Sequence, residues 1–331
     1  MKKIKNNLDT IIYIIVILLI LFLRFPYLVY EPGGTINVND RFVSVPYESK
    51  GTINQTYVSV QRGNLVSMFL GWLLPDYDIV PDDENKIDDE TQEEANKRDR
   101  IAYEYALSSA TAVAYESAGL ETNVTDSYGG IYYIFDGAKT DLKIGDKIVK
   151  YNNKKFNYEE FFPFVKEAKK GTRIEFEVIR NKKKKNCYAI ISTIKDELIE
   201  EYDGIGVIIY TINEYKNEPN IEFESRANEM GSSGGLMLAL GMYNALTEDD
   251  ITHGLNIAGT GTIEIDGKVG EIGGVKYKIL GAVRNKCDVF LVPEKNYDEA
   301  KEVIKDRNFK IKLIKVTTFD EALEELNKLS A

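Results

Sequence analysis

The hydrophobic pattern opens with a run that has no period. Residues 11–23 are apolar without interruption, and the run continues to Tyr30 with only Arg24 and Pro26 set into it. Counted from Ile11 to Tyr30 it has 20 residues, the length of one helix crossing a bilayer. A run apolar on every side does not suit a half-buried surface helix. Lys2, Lys3 and Lys5 precede it and Glu31 follows, so the basic-side rule puts the N-terminus in the cytoplasm and the rest of the chain outside. A cleaved signal peptide would share the same apolar run. No small-x-small site follows directly, which favours a retained anchor.

Beyond residue 34 the pattern becomes mixed. Alternation predicts strands at 42–45 and 57–60, and residues 64–74, around the single tryptophan Trp72, read as a helix on the body or near a membrane surface. Residues 82–94 are acidic and read as a solvated loop, and residues 90–120 read as one long helix. A small α/β unit follows: strands at 130–135, 173–180 and 187–193, a helix at 158–168, and a lysine-rich hairpin tip at 181–185. From residue 204 strands are expected at 206–211, 221–225, 289–292 and 311–316, and helices at 233–246, 275–285, 297–307 and 319–329. This divides the chain into an anchor (1–34), N-terminal strands with a long helix (35–124), the small α/β unit (125–196) and a C-terminal α/β domain (197–331).

Composition narrows the classes of function. The chain has 331 residues and a net charge of −11, which argues against nucleic acid as a partner. With two cysteines, Cys187 and Cys287, and one histidine, His253, neither a disulfide framework nor a multi-histidine zinc site is available. No Gly-x-x-x-x-Gly-Lys-Ser/Thr loop occurs, so no P-loop ATPase is signalled, and the expectation for cofactors is none.

The chemistry concentrates in Glu229-Met230-Gly231-Ser232-Ser233-Gly234-Gly235. An apolar strand leads in and an apolar helix leads out. Such a bend presents a serine at a helix N-terminus, where unpaired amides and the positive dipole end stabilise an oxyanion. A serine cap on a glycine-rich turn has the same appearance. A second element follows, Ala258-Gly259-Thr260-Gly261-Thr262 and then Ile272-Gly273-Gly274-Val275-Lys276-Tyr277-Lys278.

Together these two stretches closely resemble the Lon-type serine–lysine protease domain. In that family the nucleophile lies in a Gly-Pro-Ser-Ala-Gly-like turn. The lysine lies three residues beyond the hydrophobic residue that follows Ile-Gly-Gly. The resemblance implies Ser233 as nucleophile and Lys278 as base, with Thr260 supporting the amine and Gly231 and Ser232 shaping the turn. Lys276 is off the family position. Ser232 stands for the family's proline, Gly234 for its alanine, and Met230 for the acidic residue of ATP-dependent members. A lysine can act as base only when desolvation favours its neutral form. The rival arrangement pairs His253 with Asp249 or Asp250, which sit in a polar turn.

Residues 136–148 resemble the central turn of a bacterial PDZ domain, which implies a peptide-binding loop at Tyr128-Gly129-Gly130-Ile131. The order of anchor, PDZ and Lon-like domain resembles the Gram-positive surface proteases of the YlbL/SepM type. That implies an α/β (α+β) Lon-type domain with an inserted or preceding PDZ domain and one N-terminal transmembrane helix. It further implies an ATP-independent endopeptidase that cleaves secreted peptides or membrane-protein ectodomains at the outer membrane face. A homo-oligomer is compatible with it. A catalytically silent PDZ adaptor, scaffolding membrane proteins, is the reading from another class.

Overall fold

The computed structural model describes residues 2–330 apart from 84–85, 88–89, 197–198 and 227–228. Helix α1 (Lys2–Phe22) carries the apolar N-terminal run, with Leu8 and residues 11–23 exposed. It stops earlier than the hydrophobic count suggested, because Tyr27 already opens the strand Tyr27–Asn37. Two causes converge there. Pro26 restricts the residue before it and offers no N–H, and the chain is already engaged by the body. The Phe25 N–H donates to the Gly63 carbonyl at 2.9 Å and the Gly63 N–H to the Tyr27 carbonyl at 2.7 Å. Among the described residues no helix is long and apolar enough to cross a membrane.

The main sheet has six strands in the order Lys312–Val316, Val289–Pro293, Asn256–Gly259, Thr52–Arg62, Tyr27–Asn37 and Asp78–Pro81. The first four run parallel, and Tyr27–Asn37 lies antiparallel to its neighbours on both sides. Three of the six come from residues 27–81, so the expected boundaries at residues 34 and 197 cut through one sheet. Side chains of its central strands alternate between two cores, as period-two geometry demands. Ile257, Val289 and Leu291 join one cluster, and Ala258, Phe290 and Val292 the other.

Helices close both faces. Flat against one end of the sheet lies α2 (Leu65–Leu73), opened by an Asn64–Ser67 capping box. The long α3 (Gln92–Ser117), opened by a Thr91–Glu94 box, contributes Ala110, Val113, Ala114 and Tyr115 to the first core. The acidic loop expected over 82–94 lies partly outside the described residues. Of its described residues Glu90 alone is buried, paired with Arg98, while Asp83 and residues 91–93 are exposed.

Residues 124–215 build a second sheet around α4 (Tyr158–Glu167). Its order is Val207–Tyr215, Val124–Ile134, Lys147–Tyr151, Arg173–Arg180, Lys183–Ile190 and Lys139–Thr140, with Lys154–Lys155 paired to Lys147–Tyr151. The sequence pattern places residues 206–211 in the C-terminal domain. They pair instead with Val124–Ile134, with Ile212 opposite Tyr128 and Tyr210 opposite Gly130. The unit is therefore inserted between α3 and the nucleophile segment. Of the strand expected at 221–225 only Glu222–Phe223 forms, paired with Phe42–Val43. Four further helices complete the fold: α5 (Gly235–Leu246), α6 (Val275–Arg284), α7 (Tyr297–Asp306) and α8 (Phe319–Asn327). The first core holds α5 and α8, the second α6 and α7.

Candidate active site

The Gly231–Gly235 stretch folds as a tight bend that starts α5, with Gly234 as its N-cap. Gly231 has φ +81°, a left-handed value that costs a side-chain-bearing residue and costs glycine nothing. Gly261 N–H donates to the Ser233 carbonyl at 2.8 Å, and Leu236 N–H to the Gly261 carbonyl at 3.1 Å. The bend is thus tied to the chain that follows Asn256–Gly259. Among the described residues the amides of Ser232, Ser233 and Gly234 donate to no acceptor, and neither does the Ser233 hydroxyl. Those are the unpaired groups that a helix N-terminus presents to an anion. At Gly234 a Cβ would meet Gln55 Oε1 at 2.8 Å, so the glycine that departs from the family's alanine gives room to Gln55.

Thr260, fully buried just past the end of Asn256–Gly259, connects the two halves of the site. Its hydroxyl donates to the Ser233 carbonyl at 2.9 Å and accepts from Lys278 Nζ at 3.0 Å. Lys278 comes from the first turn of α6, whose N-cap Gly274 has φ +72°. It is 3% exposed, and among the described residues its amine makes one hydrogen bond, to Thr260. Burial without a carboxylate partner lowers its pKa from 10.5 to about 7. A lysine in this condition is a base at neutral pH.

Residues 224–328 match the Lon protease (S16) C-terminal proteolytic domain. Similar proteins include the Lon protease of Desulfatibacillum aliphaticivorans, 38% identical over 95 residues, which is 29% of this chain and 11% of that one. The Lon protease of Clostridium acetobutylicum is 36% identical over 94 residues, 28% of this chain and 12% of that one. That of aster yellows witches'-broom phytoplasma is 26% identical over 144 residues, 43% and 17% respectively. The chain thus spans about a tenth of the length of the first relatives it matches.

Within this Lon-type domain the rival bases are placed elsewhere. Lys276 Nζ bonds Asp78 Oδ2 at 2.5 Å, and Tyr277 donates to the same oxygen at 2.5 Å. Burial alone would raise the Asp78 carboxyl, but these two donors hold it below its usual value. His253 is exposed in the turn that leads into Asn256–Gly259, at the opposite end of that strand from Thr260. Asp250 accepts from the amides of Lys50 and Thr252 and so fastens that turn. Among the described residues no Ser-His-Asp triad is assembled.

Sequence reasoning missed the network behind the nucleophile bend. Glu229 is buried and holds a salt bridge with Arg41. Its Oε2 accepts from Arg41 Nη2 at 2.7 Å, Tyr103 Oη at 2.8 Å and the Arg226 amide at 3.0 Å. Burial raises this carboxyl, and the Arg41, Arg226 and Tyr103 hydrogen bonds outweigh it, so the pKa is lowered. Gly231 N–H donates to the Asp99 carbonyl at 2.8 Å, which pins the next residues to α3. A glutamate beside a polar loop gives no sign in sequence of partners that lie 126 and 188 residues away.

The PDZ-type expectation at Tyr128-Gly129-Gly130-Ile131 needs correction. These residues form neither a loop nor a sheet edge, since Val124–Ile134 is paired on both sides there. Gly129 faces Thr211 on one side and Ile148 on the other. With its amides committed, this segment cannot add a peptide strand. Its small residues serve packing instead: a Cβ at Gly130 would meet Ile101 of α3 at 2.8 Å.

Proposed function

We propose that the chain is an ATP-independent serine endopeptidase with a Ser233–Lys278 dyad, working at the outer face of a membrane on secreted peptides or membrane-protein ectodomains. The observation that carries the dyad is Lys278, buried, pKa lowered to about 7, and joined through Thr260 to the Ser233 backbone.

The chemistry follows from those groups. Neutral Lys278 takes the Ser233 proton as the oxygen attacks the peptide carbonyl. The amides at the start of α5 stabilise the oxyanion that forms. Lysinium then returns the proton to the leaving amine, and a water, deprotonated by Lys278, hydrolyses the acyl-enzyme. Independence of ATP rests on the missing phosphate-binding loop. Membrane attachment rests on α1, whose apolar side chains are exposed all round. We read residues 124–215 as a PDZ-type unit that selects substrate, though not by adding a strand at Tyr128–Ile131, which is paired on both sides.

The reading is tested by peptidase assay of the full chain against a library of unstructured peptides. Cleavage is expected without nucleotide and is lost in Ser233→Ala and in Lys278→Ala. Because nucleophile and base act as one unit, the double variant is expected to be no worse than either single one. A fully active Ser233→Ala protein would refute the assignment.

A further inference from the structure

Helix α2 presents apolar side chains on its outside as well as its inside. Its inner face is pressed onto the sheet: Ser67 is buried, and a Cβ at Gly71 would meet Ile79 Cγ1 at 2.7 Å. Its outer face carries Leu65, Val66, Phe69, Trp72 and Leu73, all exposed, with Trp72 78% exposed. At 3.6 residues per turn these five fall within about 120° of arc, one continuous stripe. The Phe69 and Trp72 rings lie against each other with centroids 6.1 Å apart, leaving both apolar and outward. A water-facing helix does not keep such a stripe without a partner.

The position of α2 says which partner. Phe25, three residues after α1 ends, is hydrogen-bonded to Gly63, and Asn64 caps α2. The two helices are in contact, so α2 is held at the level where the apolar α1 leaves the body. From Gly63 to Tyr77 the chain contains no lysine or arginine. Carboxylates beside α2 are paired within the protein, Asp78 with Lys276 and Asp76 with Arg307 and Arg284. The helix itself therefore offers apolar area and no positive charge, the exposed Arg24 and Arg62 lying just before it.

We propose that α2 is a second membrane contact, an interfacial helix whose Leu65–Phe69–Trp72–Leu73 face sinks to the headgroup boundary of the lipid bilayer and sets the domain's orientation on it. It binds by apolar burial, with tryptophan at the boundary depth that aromatic rings favour. The inference rests on the reading of α1 as membrane-inserted.

Trp72 is the single tryptophan, so its fluorescence reports this face directly. The full chain is reconstituted into phosphatidylcholine vesicles, with and without phosphatidylglycerol, and recovered by flotation. Expected are a blue-shifted emission, quenching by lipids with a nitroxide near the headgroup, and protection from aqueous acrylamide. All three should already be present in phosphatidylcholine without anionic lipid. Phe69→Glu combined with Leu73→Glu should return Trp72 to acrylamide while the protein still floats. A floating protein whose Trp72 is open to acrylamide overturns the proposal and leaves α1 as the anchor. Protection from acrylamide without quenching by lipid nitroxide overturns it in favour of a protein partner, such as a second copy. Protein that does not float refutes membrane attachment itself, and α2 with it.

Discussion

Replacing the buried lysine should stabilise the protein while it destroys activity. Lys278 is 3% exposed and its pKa falls from 10.5 to about 7 through burial. The unfolded chain keeps this proton to about pH 10.5, whereas the folded chain releases it near pH 7. Between those values the unfolded state binds more protons, so stability rises with pH; below about pH 7 the full penalty is present and constant. At 1.36 kcal/mol per pKa unit the penalty is about 5 kcal/mol below pH 7 and about 4 kcal/mol at pH 7, shrinking to about 1 kcal/mol near pH 10. Lys278→Met fills a similar volume without the amine and forfeits one hydrogen bond to Thr260, worth about 1 kcal/mol. The net expectation is a gain of about 3 kcal/mol at pH 7, fading to about zero near pH 10. Urea unfolding of the full chain in micelles, followed by circular dichroism across that pH range, measures it. A wild type more stable than Lys278→Met at pH 7, or a difference that does not change with pH, would refute the buried-amine argument.

Thr260→Val removes the hydroxyl that receives Lys278 and holds the Ser233 carbonyl. Peptidase kcat is expected to fall by roughly ten- to a hundredfold, with KM little changed, in steady-state assays. Glu229→Gln leaves Arg41 buried without its charge partner and should cost about 3–5 kcal/mol in denaturant titration. Lys276→Ala breaks a partly exposed pair with Asp78, and His253→Ala alters an exposed turn; each should retain most peptidase activity.

Much of the candidate site was legible because it is local. The Gly-Ser bend, Thr260 and the Ile-Gly-Gly-x-Lys-x-Lys spacing lie within fifty residues of one another, and α5 and α6 have clear apolar faces. The choice of Lys278 over Lys276 came from the family spacing, and burial against an Asp78 pair gives it a physical reason. Long-range pairing was not legible. Residues 206–211 have the composition of a buried strand, but which sheet they join depends on a partner, Val124–Ile134, more than seventy residues earlier. The same holds for Tyr128–Ile131, expected as a loop, whose place inside a sheet is set by its neighbours rather than by its own residues. At the N-terminus hydrophobicity alone extended the helix to Tyr30, whereas hydrogen bonding to Gly63 turns the chain into a strand.

The central claim, a serine activated by a lysine, is tested most directly by the pH dependence of covalent labelling at Ser233. The full chain is treated with a fluorophosphonate, the adduct is located by peptide mass spectrometry, and the rate is followed across neutral pH. The account predicts one adduct, on Ser233, formed at a rate that rises through a pKa of about 7 as Lys278 loses its proton. That labelling should vanish in Lys278→Ala and persist in Lys276→Ala. Labelling of Ser233 that continues undiminished in Lys278→Ala would contradict the account.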